Sequence, residues 1–154
     1  MTRLAEGVKA PAFTLSDHDG TSLTLKDLAG KRFVLYFYPA DDTPGCTKEA
    51  CQFNDELDQF RGLGVRVIGV SPDVAAKHGA FRQKYGLDFT LLSDPDKKVM
   101  TKYGAFGEKM MYGKKVNGVI RSTFIIGPNG TIERAWYAVR ADGHAAKVLE
   151  ALRR

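Results

Sequence analysis

A run of six apolar and aromatic residues, Phe33 to Tyr38, constrains the fold of this chain more than any other feature. Such an unbroken run is typical of a central strand covered on both faces, because a strand with one wet face alternates apolar and polar residues. Two prolines and a glycine follow within residues 39–45, and from Cys46 onward apolar residues recur at helical spacing. This segment therefore predicts a buried strand, a turn and a helix.

The predicted helix carries one apolar stripe that begins with a cysteine. The stripe consists of residues four, three, four and three apart: Cys46, Ala50, Phe53, Leu57 and Phe60. Such spacing is one face of an amphipathic helix, and Gly62 and Gly64 predict its end shortly after Phe60. Cys46 thus lies where unpaired backbone N–H groups and about half a positive charge favour an anion. A cysteine in this place tends to be a thiolate, the reactive form of the thiol.

Cys51, the second cysteine of the chain, lies five residues after Cys46. In an intact α-helix this offset turns the two side chains about 140° apart and separates their Cα atoms by roughly 8–9 Å. A disulfide requires a Cα separation below about 7 Å. The two thiols can therefore pair only if the first turns of the helix unwind. Two unrelated buried cysteines in a reduced protein remain the alternative explanation.

The overall composition predicts a single domain, residues 1–154, in the cytoplasm. Hydrophobic residues make up 44% of the chain and charged residues 27%, which is ordinary for a globular protein of this length. Two cysteines are too few for a disulfide-stapled secreted protein, and we find no apolar run suited to a signal peptide or a membrane span. The net charge of +5 comes with scattered basic pairs rather than a stripe, so we expect a solvated surface instead of nucleic-acid binding.

Strands and helices are predicted to alternate along the rest of the chain. Strands are predicted in an N-terminal hairpin within residues 12–27, at 65–71 and 89–93, and in a hairpin of 122–126 with 132–137 around Pro128-Asn129-Gly130. A helix is predicted after Pro72, with Val74, Phe81 and Tyr85 on one face and Gly86 as its stop. A short helix is predicted at residues 98–103. The last predicted helix lies at the C-terminus, and its apolar face consists of Ala145, Val148, Leu149 and Leu152. Residues 104–119 show no clear period and predict a loop.

This order of elements predicts an α/β fold with a central mixed sheet. Sites in such sheets lie beyond the carboxyl ends of the parallel strands, and residues 39–46 occupy that edge after the 33–38 strand. If the 122–127 strand runs antiparallel, it begins at the same edge. Residues near Arg121 could then face Cys46.

Several kinds of site find little support. The two cysteines and the three histidines, His18, His78 and His144, lack the spacing of zinc ligands, so we predict no metal site. No histidine stands in the context of a cysteine hydrolase, and we expect all three at the surface or partly buried. The glycines between residues 104 and 118 do not form a phosphate loop, and no cofactor is predicted.

The cysteine spacing differs from the Cys-x-x-Cys of thioredoxin-like reductants and suits a division of labour. One thiolate could attack an oxidant and become a sulfenic acid, with which the other thiol condenses to a disulfide. Thr43 could offer its hydroxyl to a peroxide oxygen, or it could serve the turn or the helix cap. Asp41 and Asp42 count against this scheme, because nearby carboxylates raise the pKa of a thiol. We therefore expect both to point to solvent and a cation to outweigh them.

These residues resemble the Pro-x-x-x-Thr-x-x-Cys signature of the peroxiredoxins, with Pro39, Thr43 and Cys46 at the motif positions. The resemblance extends over nearly the whole chain to the peroxiredoxin Q or bacterioferritin comigratory protein branch. The segments that carry it are residues 7–15, 37–39 and 121–126.

The resemblance implies a thioredoxin-like fold and the reduction of hydrogen peroxide and organic hydroperoxides without a metal or prosthetic group. Cys46 would be the peroxidatic cysteine and Cys51 the resolving cysteine, as in the branch in which both thiols share one helix. Thr43 would hold the peroxide, Pro39 would shield the pocket, and Arg121 would stabilise the thiolate and the charge on the leaving oxygen. The resemblance also implies thioredoxin as the reductant and, with a disulfide inside one chain, a monomer. A thioredoxin-like protein disulfide oxidoreductase and a basic binding module with inert cysteines remain the alternatives.

Overall fold

Nine strands, five α-helices and one short 3₁₀ helix (Lys26–Leu28) occupy residues 3–154, the part of the chain that the computed structural model describes. Met1 and Thr2, which belong to the segment considered for a signal peptide, lie outside the described residues. The strands are β1 (Thr14–Asp17), β2 (Ser22–Thr24), β3 (Phe33–Phe37), β4 (Arg66–Ser71), β5 (Thr90–Ser93), β6 (Phe106–Met111), β7 (Lys114–Val119), β8 (Ser122–Ile126) and β9 (Ile132–Trp136). The helices are α1 (Pro44–Asp55), α2 (Leu57–Gly62), α3 (Ala75–Tyr85), α4 (Lys98–Lys102) and α5 (His144–Arg153). Within the described range, none of these helices has the length and apolar character needed to cross a membrane.

Seven strands form one mixed sheet in the order β2-β1-β5-β4-β3-β8-β9. Strands β3, β4 and β5 are parallel, whereas β8 runs antiparallel to β3 and β1 runs antiparallel to β5. The predicted α/β architecture is therefore confirmed, with a central mixed sheet and an N-terminal hairpin at one edge. The antiparallel direction of β8, on which the meeting of Arg121 and Cys46 depended, is also observed.

Strand β3 lies at the centre of the core, and all five of its residues are buried. One face of the strand packs into a cluster that includes Tyr103 and Phe124. The other face packs against α1, where Tyr36 stacks on Phe53 with ring centroids 4.7 Å apart. Coverage on both faces explains why the sequence of β3 is continuously apolar.

The cysteine helix is shorter than its apolar stripe predicted. α1 ends at Asp55, and Glu56 has non-helical backbone angles before α2 begins. Asn and Asp are weak helix formers, and the side chain of Asn54 is engaged by the Gly86 carbonyl and the Asp88 N–H. The stripe nevertheless remains on the buried side, since Leu57 and Phe60 of α2 are in the same cluster as Cys46.

Helix α3 begins later than predicted. Val74 precedes the helix rather than lying on its apolar face, and 58% of this residue is exposed. The predicted stop is confirmed, because Gly86 caps the helix at φ 64°, a left-handed conformation that glycine adopts without a steric penalty.

The prediction of a loop at residues 104–119 was wrong. Strands β6 and β7 form a two-stranded antiparallel ribbon that is separate from the main sheet. Tyr112 and Gly113 connect them, both at positive φ, as a tight hairpin turn requires. Most residues of the ribbon are exposed or half-buried, so its sequence has no alternation of buried and exposed positions to reveal a strand.

Candidate active site

The candidate site lies where β3 ends, α1 begins and β8 starts. Phe37 at the end of β3 pairs with Ser122 at the start of β8, which brings Arg121 to this edge of the sheet. The Arg121 carbonyl accepts a hydrogen bond of 3.0 Å from the Val139 N–H, which holds its backbone in place. Its Nη2 lies 3.4 Å from the Cys46 Sγ. Residues that are 75 positions apart in the sequence therefore meet as expected.

Cys46 is the third residue of α1, after the extended N-cap residue Thr43 and the two prolines and one glycine that the sequence analysis identified. Pro44 occupies the first helical position, where its fixed φ suits the helix and its missing N–H is not needed. The backbone N–H groups of this first turn have no acceptor within the helix. Only 2% of Cys46 is exposed. The sulfur is thus sheltered from water and lies at the positive end of a helix.

Glu49 is a further member of the site, which sequence reasoning missed. It is fully buried, and its Oε1 accepts a 2.6 Å hydrogen bond from Nη1 of Arg121. Burial raises the pKa of Glu49 to about 7, although the charge and hydrogen bond of Arg121 act in the opposite direction. Its Oε2 has no partner among the described residues. The available signal was the three-residue spacing from Cys46, which puts both side chains on one helix face.

Arg121 is shared between two acidic groups. Burial lowers the pKa of its guanidinium, but Glu49 and Cys46 more than offset this effect, and the net result is a raised pKa. The guanidinium is therefore a permanent cation that contacts the carboxylate through one nitrogen and the sulfur through another.

Gly45 gives the guanidinium room beside the helix. A Cβ atom at this position would lie 3.3 Å from Nη2 of Arg121, closer than ordinary van der Waals contact. The glycine next to Cys46 thus has a packing reason in addition to its place in the turn.

Thr43 and Pro39 belong to the turn that precedes α1. The hydroxyl of Thr43 donates a 2.9 Å hydrogen bond to the Ala40 carbonyl and makes no capping bond to the helix. Of the alternatives left open for Thr43, the turn bond is observed, and it commits the hydroxyl proton. The oxygen keeps lone pairs with which it can accept a further hydrogen bond. Pro39 is half-buried at the start of this turn.

Cys51 differs from Cys46 in its surroundings. It is half-buried on the same continuous helix, and both thiols are free. Burial, followed by the charge of Asp55, raises the pKa of the Cys51 thiol. Cys51 is therefore the poorer nucleophile while the helix is folded.

The expectation for the two aspartates holds only for Asp42. That residue is exposed and bonds Lys84 at 2.8 Å and the Tyr85 hydroxyl at 2.6 Å. Asp41, in contrast, was wrongly predicted to point to solvent: it is only 2% exposed. Its carboxylate accepts a 2.5 Å hydrogen bond from the Tyr38 hydroxyl and lies 2.6 Å from Nδ1 of His78. A nearby basic side chain, invisible in the local sequence, makes this burial possible.

The expectation that all three histidines are exposed or partly buried was also wrong. His78 and His144 are fully buried or nearly so. The ring of His144 bonds the Thr123 hydroxyl at 2.8 Å, and burial lowers its pKa to about 4. Folding also brings the acidic groups of Asp41 and Asp73 together with His78, so that possible metal-ligand atoms lie within 4.8 Å of one another. These atoms are already hydrogen-bonded within the cluster or to neighbouring groups.

Comparison with known proteins places this arrangement in a family. The model of the AhpC/TSA family matches residues 7–135. The chain is 56% identical over 147 residues to a putative peroxiredoxin of Mycobacterium tuberculosis H37Rv, with 96% of this chain and 94% of that protein covered. It is 42% identical to peroxiredoxin Bcp of Bacillus subtilis, with 96% and 94% covered.

Solved structures agree with the sequence comparison. A cysteine-to-serine variant of Xanthomonas campestris peroxiredoxin Q matches with a TM-score of 0.90 and 42% identity, over 97% of this chain and 98% of that chain. A similar variant of PrxQ from Xylella fastidiosa matches with a TM-score of 0.92 and 38% identity, over 99% and 98%. With its thioredoxin-like fold and its buried cysteine at the start of a helix, the chain belongs to the AhpC/TSA family, as a peroxidase of the peroxiredoxin Q/Bcp type.

Proposed function

We propose that Cys46 is the peroxidatic cysteine and that the enzyme reduces hydrogen peroxide and organic hydroperoxides to water and alcohols. The observation that carries this proposal is the 3.4 Å contact between Nη2 of Arg121 and the Cys46 Sγ, at the first turn of α1. A guanidinium and a helix N-terminus both favour the anionic form of a sulfur. Both features converge on Cys46, whereas Cys51 has a raised pKa.

In the first step, the Cys46 thiolate attacks the hydroxyl oxygen of the peroxide. The O–O bond breaks, the sulfur becomes a sulfenic acid, and the leaving oxygen takes a proton from water. Negative charge moves from sulfur to the leaving oxygen during this step. Arg121 is placed to stabilise that charge, because its second nitrogen is held by Glu49 while Nη2 faces the sulfur.

Thr43 and Pro39 would complete the peroxide pocket. Since the hydroxyl proton of Thr43 is donated to Ala40, its oxygen is available to accept a hydrogen bond from the peroxide O–H. This would orient the substrate oxygen toward the sulfur. Pro39, half-buried in the same turn, would shield the pocket from water.

Cys51 would act as the resolving cysteine. Its thiolate attacks the sulfenic sulfur, an S–S bond forms, and the oxygen leaves as water with the proton that Cys51 gives up. Because both cysteines lie on continuous α1, the helix has to unwind before they can meet. Unwinding also removes the burial that raises the pKa of Cys51. The same motion would therefore bring this thiol close to Cys46 and favour its thiolate form.

The remaining parts of the proposal concern the setting of the cycle. A dithiol such as thioredoxin would reduce the disulfide by thiol–disulfide exchange. We place the enzyme in the reducing cytoplasm, where both thiols would be regenerated. Because both reacting thiols belong to one chain, the cycle needs no second subunit, and the enzyme would act as a monomer. Residues 1–154 would form a single domain.

The test is stopped-flow titration of the reduced protein with hydrogen peroxide, followed by mass spectrometry for a Cys46–Cys51 disulfide. Cys46→Ser should abolish turnover. Cys51→Ser should react once with peroxide and then stop in the presence of thioredoxin, thioredoxin reductase and NADPH. Sustained thioredoxin-linked turnover by Cys51→Ser would show that the resolving assignment is wrong.

The other redox candidate, a disulfide oxidoreductase, predicts different behaviour. Such a protein would reduce insulin disulfides without consuming peroxide. Its usual dithiol motif is absent, because four residues separate the two cysteines. Insulin reduction by the wild type without peroxide consumption would favour this candidate.

A further inference from the structure

A buried polar cluster lies directly behind the turn that carries Pro39 and Thr43. At its centre are Asp41, 2% exposed, and His78, fully buried, with Oδ2 and Nδ1 only 2.6 Å apart. Asp41 lies inside the turn itself, and His78 lies on α3. The contact therefore adds a buried link between this turn and α3, which also reaches the turn through the exposed bonds of Lys84 and Tyr85 to Asp42.

Hydrogen-bond partners determine how many protons this pair holds. Nε2 of His78 lies 3.0 Å from the Leu92 carbonyl, which can only accept, so Nε2 carries a hydrogen. Nδ1 faces the carboxylate of Asp41, and one more proton has to lie between them for a hydrogen bond to form. The Tyr38 hydroxyl supplies the hydrogen to the other carboxylate oxygen. Whichever atom holds the shared proton, Asp41 and His78 together are electrically neutral.

His78 is the residue that balances the charge of Asp41, because the neighbouring charged groups are paired with one another. The nearby Asp73 accepts hydrogen bonds from the Asp41 N–H and the Ser71 hydroxyl, and Lys77 lies 3.0 Å from its other oxygen. The charge of Asp73 is thus matched by Lys77. Across residues 3–154, His78 is the only basic side chain within ion-pair distance of Asp41.

We propose that His78 is a positioning residue for peroxide reduction, which neutralises the buried carboxylate of Asp41 and thereby holds the turn of residues 39–43 without placing a net negative charge at the edge of the buried cluster that contains Cys46. The inference rests on the proposed role of Cys46. It also resolves the conflict between two aspartates and a thiolate in one short segment, since Asp42 is exposed and paired with Lys84.

Asp41 and Cys46 act on the same part of the core. Tyr36, Tyr38 and Cys46 belong to one buried cluster, in which the rings of Tyr36 and Tyr38 stack with centroids 5.4 Å apart. The Tyr38 hydroxyl donates a 2.5 Å hydrogen bond to Asp41, so the carboxylate borders the cluster that contains the sulfur. An unmatched charge on Asp41 would oppose formation of the Cys46 thiolate through the same low-dielectric region.

The test compares Asp41→Asn, His78→Gln and the double variant. Asparagine can accept from Tyr38 and donate to Nδ1 of His78, so the first variant keeps a neutral, fully bonded pair. Glutamine at position 78 removes the compensating charge from Asp41. The measurements are the ultraviolet absorbance of the thiolate as a function of pH and the second-order rate with hydrogen peroxide, with Cys46→Ser identifying the signal of Cys46.

We expect His78→Gln to move the thiolate titration to higher pH by about one unit and to lower the rate at neutral pH about tenfold. Asp41→Asn should keep the wild-type titration, and the double variant should recover it. A packing defect at position 78 would persist in the double variant, so recovery separates charge compensation from loss of structure.

Two results would overturn the inference: an unchanged titration in folded His78→Gln, or a double variant as impaired as His78→Gln. If His78→Gln does not fold, a titration of Asp41→Asn displaced by about one unit is equally decisive against it. Peroxidase activity in Cys46→Ser would instead refute the proposed function, so the two failures are distinguishable.

Discussion

Glu49→Gln should change how the stability of the protein depends on pH. Glu49 is fully buried, and burial raises its pKa from the ordinary 4.5 to about 7 against the opposing effect of Arg121. At about 1.4 kcal/mol per pH unit, the difference between 4.5 and about 7 corresponds to roughly 3 kcal/mol. This is the free energy by which the folded protein favours protonated Glu49 over the ionised form, relative to the unfolded chain.

The direction in which Glu49 changes the free energy of unfolding with pH follows from proton binding. Because the folded protein holds this proton more tightly, the stabilisation from Glu49 is fully present below about pH 4.5 and is lost as the pH rises to about 7. Glutamine cannot ionise and keeps an oxygen that can accept from Arg121. The variant should therefore gain up to roughly 3 kcal/mol relative to the wild type over the same interval.

His144 acts in the opposite direction and has to be removed from the comparison. Burial lowers its pKa to about 4, so its stabilising contribution is present above the unfolded value of 6.5 and is lost as the pH falls toward 4. The wild type alone would thus show only a weak pH dependence. Both proteins contain His144, and the difference between their free energies of unfolding cancels its contribution.

The assay is urea denaturation of the reduced proteins at several pH values from about 4.5 to 8, with linear extrapolation to water. Glu150→Gln is the matched control, because Glu150 is an exposed carboxyl on α5 that forms only a surface ion pair with Arg154. The Glu49→Gln minus wild-type difference should rise by roughly 3 kcal/mol, whereas the control difference should stay flat. A flat difference for Glu49→Gln would refute the account of a buried, proton-holding carboxyl.

Three further predictions concern the start of α1. Arg121→Lys should slow the reaction with hydrogen peroxide by about 10- to 100-fold in stopped-flow measurements. The reason is that an ammonium cannot bond Glu49 and Cys46 through two nitrogens, as the guanidinium does. The magnitude follows from a charge-assisted hydrogen bond, which contributes about 1.5–3 kcal/mol. An unchanged rate would contradict the role given to Arg121. Gly45→Ala should also lower that rate, since the new Cβ would lie 3.3 Å from Nη2 of Arg121 and displace the guanidinium from the sulfur. A rate equal to that of the wild type would count against this packing argument. Hydrogen exchange at residues 44–55 should increase after peroxide treatment, and equal protection in both redox states would exclude local unwinding.

Much of the fold could be predicted because its signals are local. The apolar run of β3 and the helical stripe from Cys46 each report burial on faces that a single element presents to the core. The ribbon of β6 and β7 escaped prediction for the converse reason, since most of its residues are exposed or half-buried and so leave no periodic pattern. The break at Glu56 escaped because loop groups engage Asn54 from outside the helix.

The candidate site, like the fold, could be predicted only where its signals are local. The amino-acid sequence by itself determined that Cys46 begins a helix after a buried strand and that Cys51 shares this helix, because neighbouring residues and their periodicity decide both. Only the tertiary structure decided which charges surround the sulfur. Glu49 is 72 residues from Arg121, and Asp41 is 37 residues from His78, and a charge becomes tolerable in the core only when folding brings its partner within hydrogen-bond distance.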